Sequence, residues 1–212
     1  GGIRVPPDGY LQDLRALATQ NDWLLMLDEI QAGIGRTGEW FAFQHEEILP
    51  DVLSLAKGLG NGVPIGASLV AGRARDLFTP GIHGTTFGGN PLVCRAALAV
   101  LDVMQEEAIR EDAARRGADL LRMLQERLGH RPEVLEIRGR GLMLAIELDR
   151  PAGELVRTAL DRGLLINVTA ERVIRLLPPL IINQRQATEI ADTVSEITME
   201  FLTRDERQRV TA

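Results

Sequence analysis

Between Tyr10 and Gln20 the apolar residues Leu11, Leu14, Leu17 and Ala18 recur at helical spacing behind a Pro6-Pro7-Asp8-Gly9 turn, which predicts an amphipathic helix over about 10–20. The period then changes. Trp23-Leu24-Leu25-Met26-Leu27 is an unbroken apolar run that stops at Asp28-Glu29-Ile30-Gln31, the pattern of a strand buried on both faces of a parallel sheet. A second run, Val52-Leu53-Ser54-Leu55-Ala56, ends at Lys57 and Gly58-Leu59-Gly60-Asn61-Gly62, and a third covers about 65–71 between Pro64 and Gly72. Residues 29–50 form a long irregular connection whose Trp40, Phe41 and Phe43 are expected to cover the core. A short helix near 73–78 leads to the glycine-rich stretch Gly81–Pro91. Helical spacing returns from Asn90 or Pro91 to about Glu106, and again over about 109–128. There Leu120, Leu121, Leu124 and Leu128 face inward, while Arg110, Glu111, Asp112, Arg115 and Arg116 form a solvated face.

After His130-Arg131-Pro132 short β-like runs at 134–138, 142–148, 164–168 and 173–177 alternate with helices at about 153–162 and 184–203. The first strand pair turns at Gly139-Arg140-Gly141, and Pro178-Pro179 ends the last strand. The expectation is an α/β chain of two domains, 1–106 and a smaller α+β domain at 107–212, closing in a polar tail from 204.

Composition narrows the function. With 45% apolar residues the chain can build a real core, and a formal charge of −6 without a basic stripe argues against nucleic acid. No apolar run approaches the roughly 20 residues that cross a bilayer, and a cytoplasmic protein is expected. The single cysteine, Cys94, lies in an apolar helical run and is expected to be buried, and His45, His83 and His130 are too scattered for a metal cluster.

One cation stands apart. Lys57 is the only lysine, against 23 arginines. A lysine amine can lose its proton and attack a carbonyl, whereas a guanidinium stays charged, so a carbonyl-trapping position is one that arginine cannot fill. Lys57 and Asp28 both arrive where apolar strands stop, and ligands of open α/β sheets bind outside the carboxyl ends of strands. An amine and a carboxylate so placed are the pair that pyridoxal phosphate requires, the amine to join its aldehyde and the carboxylate to keep its ring nitrogen protonated.

Gly33-Ile34-Gly35-Arg36-Thr37-Gly38 is a literal G-x-G-x-x-G after a strand, which makes a dinucleotide-binding oxidoreductase a rival reading. Against it, bulky and polar residues separate these glycines from the strand, and Glu39-Trp40-Phe41 follows where a helix of small residues should open.

Three stretches in order, Asp28-Glu29-Ile30-Gln31-Ala32-Gly33-Ile34-Gly35-Arg36-Thr37-Gly38, Leu55-Ala56-Lys57-Gly58-Leu59-Gly60 and His83-Gly84-Thr85-Thr86-Phe87-Gly88-Gly89-Asn90-Pro91, resemble the class III, ornithine-type aminotransferases. The resemblance runs over essentially the whole chain and implies the C-terminal half of a longer enzyme. What it implies is a fold-type-I transferase, namely the later part of the large parallel-sheet domain plus the small C-terminal α+β domain. It further implies pyridoxal 5'-phosphate as cofactor, a homodimer with an active site shared across its interface, and amino transfer between N2-acetyl-L-ornithine and 2-oxoglutarate. By the same resemblance Lys57 carries the cofactor, Asp28 pairs with the ring nitrogen and Gln31 bonds the ring oxygen. Thr86 reaches the phosphate of the neighbouring subunit's cofactor, and Thr85 borders the substrate.

Ornithine, succinylornithine, succinyldiaminopimelate and 4-aminobutyrate transaminases share these motifs. The family's other phosphate loop, its ring-stacking aromatic residue and its substrate-carboxylate arginine fall upstream of Gly1. Arg175 matches an arginine whose glutamate partner also lies upstream. A fragment without turnover is therefore the reading from a different class, and the isolated chain is expected to hold cofactor poorly.

Overall fold

The computed structural model describes residues 2–210. It divides into two compact units, one running from Pro6 to Glu111 and the other joining the residues up to Val5 to those from Asp112 onward. The sequence places a boundary at 106/107, and the contacts divide at 111/112, inside a helix.

In the first unit α1 (Tyr10–Gln20) precedes β1 (Met26–Asp28), β2 (Val52–Leu55) and β3 (Ala67–Val70), with α2 (Pro91–Glu106) and the first residues of α3 (Ile109–Leu128) behind them. β1 and β2 are parallel, with Met26 opposite Val52 and Asp28 opposite Ser54. β3 runs antiparallel to β2, with Ala67 opposite Leu55. Asp51 fixes where β1 and β2 begin to pair. Its carboxylate accepts the Leu25 N–H at 2.8 Å and an Arg15 guanidinium N–H at 2.6 Å, while its own N–H donates to the Leu25 carbonyl at 2.9 Å. Asn90 caps α2 by accepting the Leu92 and Val93 N–H groups at 3.1 and 3.2 Å, and Pro91 fits the first helical position, where no N–H is needed.

Several expectations change here. β1 is not buried on both faces. It is the end strand of its sheet among the described residues, and Met26 is 66% exposed and Trp23 58%. Of the run only Leu25 is buried, with Leu24 and Leu27 half-buried. On α1, Ala18 is buried and Leu11 and Leu14 are half-buried, whereas Leu17 faces out. Cys94 is exposed, because α2 turns Val93 and Ala97 inward and leaves Cys94 beside that stripe. Arg110 is not simply solvated. Its guanidinium lies 5.6 Å from the centre of the Trp40 ring and 3.8 Å from Glu39.

In the second unit β4 (Val134–Arg140), β5 (Met143–Leu148), α4 (Leu155–Asp161), β6 (Asn167–Thr169), β7 (Val173–Leu176) and α5 (Gln184–Val210) follow α3. The sheet has the order β4-β5-β7-β6 and is antiparallel throughout. Strand alternation sends Leu144, Ile146, Leu148, Ile174 and Leu176 to one face, where they meet Leu120, Leu124 and Leu128 of α3 and the apolar stripes of α4 and α5. Each such leucine or isoleucine contributes about 1.5–3 kcal/mol by leaving water. The backbone is helical as far as Val210, over much of the expected polar tail, and residues 211–212 lie outside the described residues.

The other face of this sheet carries Met143, Ala145 and Val173, with Ile3 packed over them. Arg138 holds that strap of chain. It donates to the carbonyls of Gly2 at 2.6 Å and Ile3, and to the carboxylates of Glu136 and Glu147, each at 2.7 Å. Arg138 and Arg175 both stand opposite Ala145, one on each neighbouring strand, so both project from this face.

Candidate active site

Parallel pairing sets the geometry of the first unit's strand ends. Because Asp28 is in register with Ser54, β1 and β2 finish at the same edge, and Lys57 follows two residues after β2 ends at Leu55. The Glu29 N–H donates to the Ser54 carbonyl at 3.0 Å and extends the ladder one residue past Asp28. Lys57 opens a single 3₁₀ turn, Lys57–Leu59, with a left-handed φ of 45°, a conformation uncommon for a residue with a side chain. The Leu59 and Gly60 N–H groups close that turn on the Ala56 and Lys57 carbonyls at 3.0 and 3.1 Å. Gly60 has no room for a Cβ, which would stand 2.1 Å from the Val63 carbonyl oxygen. The glycines after Lys57 thus let the chain fold back tightly while the lysine side chain stays exposed.

Asp28 is also exposed, and one of its oxygens accepts the Ile30 N–H at 2.9 Å. Alternation turns the next residue the other way. Glu29 is 4% exposed, and its two carboxylate oxygens accept the Phe43 and Ala42 N–H groups, each at 2.9 Å. Burial raises the Glu29 carboxyl above its ordinary value, those two backbone N–H groups oppose the rise, and the nearby Asp28 charge adds to it. Gln31 is half-buried in the turns that follow.

The connection from 29 to 47 is a built element. Ala42–Glu46 forms a 3₁₀ helix, Phe41 and Phe43 stack with ring centres 5.6 Å apart, and the His45 ring lies 3.1 Å from the Thr37 carbonyl. Glu46 accepts the Gly9 N–H at 2.9 Å and so ties this helix to the entry of α1. Residues 33–38 make consecutive turns with Gly35 and Gly38 at positive φ and open no helix, which removes the dinucleotide-binding reading.

The structure therefore brings Lys57 and Asp28 to one edge of a parallel strand pair, with Gln31 in the turns three residues after Asp28. Thr85 and Thr86 stand in the exposed stretch before α2, where the Gly88 N–H donates to Thr85 Oγ1 at 3.1 Å and the Asn90 amide to the Phe87 carbonyl at 2.8 Å. In the second unit Arg175 is half-buried, and its Nε is buried without a hydrogen-bond partner among the described residues. An exposed amine and an exposed carboxylate at one strand edge, with a half-buried amide in the turns that follow, fit a carbonyl-bearing, nitrogen-ring cofactor. Among the described residues no group of His, Cys, Asp and Glu could hold a metal ion, and no helix is long and apolar enough to cross a membrane. Sequence reasoning assigned no role to Glu29; its place one residue after Asp28, on the inward side of the strand, was the available signal.

The fold is that of the pyridoxal phosphate-dependent aminotransferases. The structure superposes on an ornithine aminotransferase from Toxoplasma gondii, described with partial occupancy of pyridoxal phosphate at its active site, with a TM-score of 0.90 and 37% identity over 98% of this chain and 50% of that one. It superposes on an acetylornithine aminotransferase from Elizabethkingia anophelis with a TM-score of 0.84 and 34% identity over 92% of this chain and 50% of that one. The chain belongs to the class-III aminotransferases, whose family model, Aminotransferase class-III, matches residues 1–198. It is 54% identical to acetylornithine aminotransferase 1 of Bordetella pertussis over 95% of its own length and 51% of that protein's, and 51% identical to the acetylornithine aminotransferase of Nitrosomonas europaea over the same shares. The chain spans about half the length of the curated relatives it matches.

Proposed function

We propose that the whole protein transfers an amino group between N2-acetyl-L-ornithine and 2-oxoglutarate with pyridoxal 5'-phosphate as cofactor. The observation that carries the chemistry is the parallel register that delivers Asp28 and the sole lysine, Lys57, to one strand edge. The substrate choice rests on the 54% identity to a relative named for acetylornithine.

When bound, the cofactor supplies an aldehyde carbon and an electron-withdrawing ring. Lys57 would hold it through that aldehyde. Once released, the Lys57 amine would take and return a proton at the amine-bearing carbon of the substrate, a role worth about 10²–10⁴ in rate. The Asp28 carboxylate would keep a proton on the ring nitrogen, and the Gln31 amide would donate to the ring oxygen. Thr86 would serve the cofactor phosphate, and Thr85 would border the substrate, both from the neighbouring subunit of a homodimer.

The test is the visible absorbance of the whole protein with pyridoxal phosphate, beside Lys57→Ala. A band present in the parent and absent from the variant is expected, and N-acetylornithine should bleach it in a single turnover. No band in the parent overturns the cofactor reading. A band that ornithine, succinylornithine or 4-aminobutyrate bleaches faster than N-acetylornithine overturns only the substrate.

A further inference from the structure

Glu29 lies between two residues that the proposed function uses, and it faces away from both the edge and the solvent. Its carboxylate is buried, yet the charge is met by two backbone N–H groups rather than by a cation: Phe43 on one oxygen and Ala42 on the other, each at 2.9 Å. The same residue is gripped through its backbone. Its N–H donates to the Ser54 carbonyl of β2 at 3.0 Å, and its carbonyl accepts the Gly33 N–H at 2.9 Å. A Cβ at Gly33 would come within 2.8 Å of that carbonyl oxygen and 3.2 Å of the Glu29 Cβ, so the turn is pressed against Glu29. The 3₁₀ helix that it caps is braced at its other end by Glu46 on the Gly9 N–H.

From these contacts we infer that Glu29 is a positioning residue for the cofactor. By pinning the Ala42 and Phe43 backbone to the end of β1, it fixes the direction in which Asp28, one residue before, and Gln31, two after, leave the strand. The inference rests on the proposed cofactor function. A carboxylate is required because both partners are donors. Glutamine keeps one acceptor and sets its amide N–H₂ against a backbone N–H, whereas aspartate keeps two acceptors on a shorter arm.

The experiment compares Glu29→Gln, Glu29→Asp and a core variant elsewhere in the same unit, Met104→Ala, in the whole protein. Met104 is buried in α2. Pyridoxal phosphate is titrated by its visible band, the pH midpoint of that band is measured, and thermal unfolding is followed in parallel. Glu29→Gln is expected to weaken cofactor binding about tenfold, as for the loss of one hydrogen bond to a charged acceptor, and to shift the pH midpoint. Glu29→Asp should recover part of both, and it carries the test if Glu29→Gln does not fold. Met104→Ala should lower the unfolding temperature and leave both cofactor readouts in place. Cofactor affinity and midpoint unchanged in the Glu29 variants, or moved equally by Met104→Ala, overturn the positioning role alone. No band in the parent overturns it together with the proposed function.

Discussion

Arg138 and Glu147 form an ion pair 2.7 Å long, and each side chain is only 6% exposed. A pair so far from water stabilises only if the remaining hydrogen-bonding capacity is used. Here it is: the guanidinium also serves the Gly2 and Ile3 carbonyls and Glu136, and Glu147 also receives Arg172 at 2.8 Å.

Breaking that pair from one side strands a buried charge. Arg138→Met or Glu147→Gln is expected to lower stability by about 3 kcal/mol, read from urea unfolding. The double variant should lose less than the sum of the two. The Glu147 carboxyl is held below its ordinary value of 4.5, first by the hydrogen bond from Arg138, against the opposing effect of burial, and then by that from Arg172. Its folded pKa lies below its unfolded one, so this stabilisation is fully present above the unfolded value and is lost as pH falls through the folded one. Unfolding free energy measured from pH 7 downward should therefore drop more steeply below about pH 4.5 in the parent than in Glu147→Gln.

Asp51→Asn tests the register beneath the candidate site. Asp51 lies below its ordinary value chiefly because Arg15 donates to it, and the same oxygen receives the Leu25 N–H. An amide there weakens both bonds, and a loss of about 2 kcal/mol is expected. Faster amide exchange at Leu25 than in the parent, with α2 unaffected, would place the damage at the start of β1.

Gly117→Ala should reverse the ordinary helix rule. In an exposed helix interior alanine gains about 1 kcal/mol over glycine. At 117, within α3, a Cβ would stand 2.0 Å from the Gly141 carbonyl oxygen and 2.2 Å from its carbon, both backbone atoms. A destabilisation of about 1–3 kcal/mol is expected from the overpacking, measured by thermal unfolding. An unfolding temperature at or above the parent's would refute the close approach.

Much of this was legible in the sequence because it is local. Helical spacing marked α1, α2 and the inward leucines of α3, and the abrupt ends of two apolar runs singled out Asp28 and Lys57. What escaped depends on partners distant in sequence. Met26 sits in an apolar run, but its exposure depends on whether other elements cover its face of the sheet, which the run itself does not display. Arg110 looks like one more solvated charge until Trp40, seventy residues earlier, lies under it. Glu29 escaped because its partners are two backbone N–H groups, which every residue type but proline offers and no sequence pattern displays. Arg138 is one of 23 arginines, and its distinction comes from the carbonyls of Gly2 and Ile3.

The strap beneath Arg138 also sets an order of events during synthesis. Gly2 and Arg138 are 136 positions apart, and the Pro6–Glu111 unit is translated in between. Ile3 must then wait for Ala145 and Val173 before its apolar side chain has the surface that it covers. A segment made well before its partners is thus seated only once β5 and β7 have formed, a non-local contact of the kind that slows folding.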